Sequence, residues 1–166
     1  MSFPFSRQHD TMLCGVACLS MICRYYGKEE SSKYLLNCCR PTSEGVSMLT
    51  LNDAAIALGF RAVCARISPS KLVQNSFPCI LHWNQNHFVV LYKIKKGRTF
   101  YVADPGKGLV KYNLEEFKSH WISTRSNGEE KGIAMFLEAT PGFYTRRMAR
   151  VKRIRIPGRS AFSSAM

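Results

Sequence analysis

The hydrophobic pattern of this chain changes period at Gly59, and no other feature restricts its possible folds as much. Upstream, apolar residues recur at helical spacing; downstream they gather into runs of strand length. Residues 13–26 predict a buried helix ended by Gly27, with Leu13, Val16, Ala17, Leu19, Ser20 and Cys23 near helical spacing. Residues 31–39 predict a second, shorter helix, 41–45 a loop, and 47–58 a third helix closed by Gly59. Residues 60–67 then alternate, and a short helix can start at 68–70. Residues 77–83 and 87–94 have strand length, and 99–103 pairs with the latter across Lys95, Lys96, Gly97 and Arg98. Residues 113–121 predict a helix capped by Asn113, with Glu115 and Glu116 in its first turn. Residues 133–139 form a last strand, and Pro141-Gly142 closes the domain. Helices first and antiparallel strands afterwards define an α+β fold.

A chain of 166 residues has room for one domain with a real core. No run approaches the roughly 18 apolar residues that span a bilayer. The first residues lack the basic-then-apolar layout of a secretory signal, so nothing directs the chain out of the cytoplasm. Seven cysteines, with no CxxC and no Cys/His pairs at zinc spacing, fit a reducing compartment and give no metal or cofactor site. Cys18, Cys23, Cys64 and Cys79 lie within apolar segments and read as small buried hydrophobes. The net charge of +13 is uneven. Residues 1–138 carry 17 basic and 11 acidic side chains, whereas 139–166 carry seven basic and no acidic ones. This separates a mildly basic folded part from a strongly basic tail. A nucleic-acid binder would interleave aromatic and basic residues on one surface. Here the charge concentrates in the tail, so no nucleic-acid partner is expected.

The chemistry is concentrated around Cys14. It opens the first predicted helix, where unpaired N–H groups and the helix dipole favour a thiolate. Gln8, six residues upstream, can offer a side-chain N–H to an oxyanion. Of the four histidines, His9 is too close in sequence to face Cys14 across a cleft, and His120 sits in an amphipathic helix as a surface or packing residue. Hairpin geometry separates His82 from His87. If the turn at 95–98 has two or four residues, His87 and Asp104 share a face within side-chain reach. A three-residue turn would flip that face. His82 has no acid so placed. An Asp that accepts from one imidazole nitrogen fixes the tautomer and leaves the other nitrogen for the thiol proton. Cys14, His87 and Asp104 are thus a candidate triad, with Gln8 at the oxyanion hole.

The stretch Gln8-x5-Cys14-Gly15-x-Ala17-Cys18-Leu19 resembles the nucleophile motif of the double-glycine leader peptidases. These are the papain-like N-terminal domains of peptidase-containing ABC transporters that mature and export bacteriocins. The segment from His87 to Leu91 is similar to that family's histidine strand, and Tyr101-Val102-Ala103-Asp104-Pro105 to its Asp-Pro segment. The resemblance extends through the closing segment at 137–144 and covers about residues 5–144, which implies a folded domain at 1–144 and a basic linker at 145–166. It implies a papain-like cysteine peptidase with Cys14 as nucleophile, His87 as general base and acid, and Asp104 as orienter. Gln8 and the Cys14 backbone N–H would hold the oxyanion. The implied substrate is a precursor peptide with an amphipathic helical leader, cut after a Gly-Gly or Gly-Ala pair. The implied partners are the transmembrane and ATP-binding domains of the same transporter, and the implied place is the cytoplasmic face of the bacterial membrane. Relatives that lose the cysteine only dock their substrates; here Cys14, His87 and Asp104 are all present. One departure is Leu13, where the family carries an acid; the nearest acid, Asp10, is four residues before Cys14.

Overall fold

The computed structural model describes residues 2–8 and 13–145. The expected basic linker therefore lies almost wholly outside the described residues. Three helices come first: α1 (Cys14–Tyr25), α2 (Ser32–Cys39) and α3 (Met48–Leu58). Then follow β1 (Phe60–Ile67), α4 (Pro69–Val73), β2 (Cys79–Trp83), β3 (His87–Lys95), β4 (Thr99–Asp104) and β5 (Gly108–Asn113). The chain continues through α5 (Leu114–Trp121), β6 (Ile122–Ser126), β7 (Glu129–Ala139) and α6 (Pro141–Thr145). The strands make one antiparallel sheet in the order β1-β7-β2-β3-β4-β5, with β6 on the free end of β7. The α+β expectation holds.

The caps explain where the helices begin. The side chains of Ser31, Ser47 and Ser68 accept backbone N–H bonds at the starts of α2, α3 and α4, and Pro69 opens α4. Asn113 and Glu116 form a reciprocal capping box on α5. At α1 the N-cap is Leu13, which makes no side-chain cap bond. Among the described residues, no side chain caps the first turn of α1 as one does in α2 to α5.

Alternation along the strands makes two cores, one on each face of the sheet. Cys18, Leu19, Ile22, Leu51, Val90 and Met135 belong to the cluster under α1, α2 and α3. Trp83, Leu91, Phe100, Phe117 and Trp121 belong to the opposite cluster, under α5. Gly15 permits α3 to approach α1 closely, because a Cβ there would lie 3.1 Å from the Leu51 methyls.

Four sequence expectations need correction. The segment after Asp104 is a sixth paired strand, β5, and β6 precedes β7, which starts at Glu129 rather than at 133. Neither β5 nor β6 has the long apolar run used to find the others. Cys64 is exposed, because its side of β1 is not covered as fully as the strand's apolar content implied. Most consequential is the β3–β4 turn. Lys95 pairs with Thr99, so the loop is the three-residue Lys96-Gly97-Arg98, with Lys96 and Gly97 at φ 54° and 67°. By itself that register would put His87 and Asp104 on opposite faces. A β-bulge at Tyr92 restores it: Lys93 pairs with Tyr101, but Leu91 pairs with Val102 and Val90 with Ala103.

Candidate active site

The site forms where the start of α1 meets the start of β3 and the end of β4. His87 is the first residue of β3 and Asp104 the last of β4. The ring Nε2–H of His87 donates to Asp104 Oδ1 at 2.8 Å. The same oxygen accepts the Gly106 backbone N–H at 2.9 Å. Asp104 is 2% exposed, one of two buried charged residues among those described. The turn behind it is closed by Lys107 N–H to Asp104 carbonyl at 2.9 Å. Cys14, itself buried, hydrogen-bonds the His87 ring. Because Nε2 is committed to Asp104, the thiol is served by Nδ1.

Charge in this cluster follows from its partners. Burial pulls the His87 imidazolium down, but hydrogen bonds to Asp104 and Cys14 outweigh it and lift the group to about 9. Burial pushes the Asp104 carboxyl up, yet the His87 and Gly106 hydrogen bonds win and hold it below its ordinary value. Cys18, one turn along α1, is raised well above the usual thiol range by burial, with Cys14 and Asp104 adding to the effect. Burial likewise pushes Cys39 up to about 12 and raises Cys79 and Cys64. Cys14, by contrast, hydrogen-bonds the His87 imidazole. His82 is lowered by burial, with its ring 5.3 Å from Phe88.

Gln8 reaches the cluster from the N-terminal segment. That segment is pinned at two points. Arg24 donates to the Phe5 carbonyl and to Ser6 Oγ, both at 2.9 Å. The Gln8 backbone N–H donates to the Pro105 carbonyl at 3.1 Å, directly behind Asp104. Its Oε1 is buried and has no hydrogen-bond partner among the described residues; a Cβ on Gly106 would lie 3.8 Å away from it. A cleft of about 340 Å³ runs from Gln8 and Leu13 along α1 toward Leu35.

All four residues singled out in the sequence therefore converge. What sequence reasoning missed is the scaffold that brings them together: the Tyr92 bulge and the Gln8–Pro105 tie. Neither has a composition signal.

A helical half bearing a buried cysteine at a helix start, against a sheet bearing a His–Asp pair, is the papain-like cysteine peptidase architecture. The family follows from comparison: the Peptidase C39 family model matches residues 2–125, and the chain belongs to that family. It is 33% identical to the colicin V secretion/processing ATP-binding protein CvaB of Escherichia coli over 84% of this chain and 18% of that protein. It is 32% identical to a probable microcin-H47 secretion/processing ATP-binding protein of the same organism, over 97% of this chain and 21% of that protein. The chain thus spans about a fifth of the length of these relatives. Among solved structures, a double glycine motif protease from an AMS/PCAT transporter, in complex with the leader peptide, superposes with a TM-score of 0.72 at 35% identity. That match covers 84% of this chain and 93% of the other. The peptidase domain of Streptococcus ComA shares the fold, with a TM-score of 0.71 at 24% identity over 84% of this chain and all of that one.

Proposed function

We propose that this domain is a cysteine endopeptidase that removes the leader of an exported peptide after a Gly-Gly or Gly-Ala pair. It acts as the N-terminal domain of a peptide-exporting ABC transporter, at the cytoplasmic face of a bacterial membrane. The single observation that carries the reading is one imidazole shared between a buried thiol and a buried carboxylate.

The geometry supports the following roles. His87 Nδ1 takes the Cys14 proton, giving a thiolate–imidazolium pair that Asp104 stabilises through Nε2. The thiolate attacks the carbonyl carbon of the second residue of the pair. The new oxyanion is met by the Gln8 side-chain amide and the N–H of Cys14 at the start of α1. His87 then protonates the departing amine of the cargo, and water, activated by the same ring, releases the leader. No metal enters this scheme, and among the described residues none cluster as ligands for one. Residues without bulky side chains before the scissile bond suit a narrow approach to Cys14, which is 6% exposed. No described helix is long and apolar enough to cross a membrane. The secretion/processing names of the relatives and the leader peptide bound to the 35%-identical protease support the same reading.

The test is a synthetic peptide with an amphipathic leader and a Gly-Gly junction. One cut, after the second glycine, is expected, and valine at either glycine should block it. Binding with no cut would instead favour a docking module.

Two further outcomes are expected. Gln8→Ala should lower kcat by about a hundredfold with little change in KM, the scale for loss of one oxyanion donor. Its readout is the steady-state rate with the same peptide. The pH profile of kcat/KM should descend with an apparent pKa near 9, where the His87 imidazolium is lost. Stability follows the same sign. The His87 contribution is full below its ordinary value near 6.5 and fades as pH rises through about 9. The Asp104 contribution is present above the ordinary carboxylate range and fades as pH falls through its lowered value. A descending limb near 6.5 would contradict the assigned His87–Asp104 pairing.

A further inference from the structure

His87 leaves a turn that local sequence preference does not hold on its own. β2 and β3 are joined by Asn84-Gln85-Asn86, closed by the register pair Trp83–His87. Asn84 and Gln85 both sit in the left-handed region, at φ 52° and 62°. Asparagine tolerates that region better than most residues, but glutamine has no such advantage. Two consecutive residues of this kind are strained, and they persist only where the surroundings over-determine them.

Here the surroundings are the last turn of α5. The Asn84 backbone N–H donates to the His120 carbonyl at 2.8 Å, satisfying one of the acceptors a helix leaves open at its C-terminus. In return His120 Nδ1–H donates to Asn84 Oδ1 at 2.8 Å. The His120 ring stacks on Trp83 at 5.0 Å and 15°, one residue from the turn. Helix α5 is a firm post for this. Its N-terminus carries the capping box, Phe117 and Trp121 are fully buried, and Trp121 Nε1–H donates to the Ile133 carbonyl at 3.0 Å. Gly132 leaves no slack beneath it, since a Cβ there would lie 2.4 Å from the Trp121 ring.

We propose that Asn84 and His120 form a two-bond clamp whose role is to position His87. The clamp fixes the backbone three residues before the imidazole and so sets the angle at which the ring meets Asp104 and Cys14. His120 touches neither the thiol nor the carboxylate; it acts through the turn. This inference rests on the peptidase reading for its effect on rate, but not for its effect on the His87 ring.

The test compares His120→Phe, Asn84→Asp and wild type, with Cys14→Ala as a control. His120→Phe keeps an aromatic ring on Trp83 and removes the donor. Asn84→Asp keeps both the acceptor and a short side chain suited to positive φ. For His120→Phe, kcat per folded molecule should fall about tenfold with KM unchanged, as expected for a small misplacement of a reacting group. The descending limb of its pH profile should also move down. Asn84→Asp should keep most of the wild-type rate. An NMR titration of the His87 ring gives a readout that needs no activity: its apparent pKa should fall in His120→Phe and hold in Asn84→Asp. A wild-type kcat and an unmoved His87 titration in His120→Phe would overturn the clamp, as would a lower melting temperature with both unchanged. Cleavage surviving in Cys14→Ala would instead overturn the peptidase reading, and the titration would still decide the clamp.

Discussion

In Cys14→Ala, cleavage at the Gly-Gly junction should fall by at least about ten-thousandfold, the scale for loss of a nucleophile acting as a unit with its base. The fold should survive, because the change removes one sulfur from a small side chain at the edge of the core. A melting temperature within about 3 °C of wild type would confirm it. No other described thiol can substitute. Cys18 is the nearest along α1, but it is fully buried and its thiol is held far above the physiological range. Cys64 is exposed but sits on β1, at the opposite edge of the sheet from the β3–β4 pair. Residual cleavage within about a hundredfold of wild type would mean that another group attacks, and the assignment of Cys14 would fail.

The largest effect on stability is expected from Gly59→Ala. Gly59 ends α3 at φ 104°, outside the range that residues with a Cβ adopt readily. It also lies against the closing segment. A Cβ would come within 2.4 Å of the backbone N and Cα of Phe143, which are not flexible side-chain atoms. The Gly59 carbonyl accepts both the backbone N–H and the hydroxyl of Thr140, so the whole junction would have to move. We expect a loss of about 4 kcal/mol, in the range reserved for such specific clashes, and a fall of roughly 10 °C in melting temperature. Gly97→Ala provides the comparison. Its φ is 67° with nothing within 4 Å of a Cβ, so only backbone strain of about 1 kcal/mol applies. Equal losses in the two variants, measured by urea unfolding, would show that the Phe143 contact is not what matters.

These contrasts show what sequence reading could and could not reach. The three leading helices were legible because Gly27, Ser31, Ser47 and Gly59 mark their ends, and the apolar runs at 77–83 and 87–94 because both faces of the sheet are covered over most of their length. β5 was not legible: its alternation is weak and its pairing depends on β4 alone. The site residues were legible as types in an order, thiol before imidazole before carboxylate. Their juxtaposition was reached through an incorrect turn length. The correct face resulted because the Tyr92 bulge cancels the extra turn residue, and a bulge leaves no periodicity to read. The anchoring of Gln8 on Pro105 is a contact between segments 97 residues apart, which local pattern cannot reveal.

The turn and the bulge together have a consequence for how this hairpin can vary. The added residue at Lys96-Gly97-Arg98 and the added residue at Tyr92 behave like a frameshift and its suppressor. Either one removed alone turns Asp104 away from His87, whereas removal of both leaves the pair facing. The hairpin can therefore change length only in matched steps, on both sides of the strand segment between them, and a designer shortening this loop must delete twice.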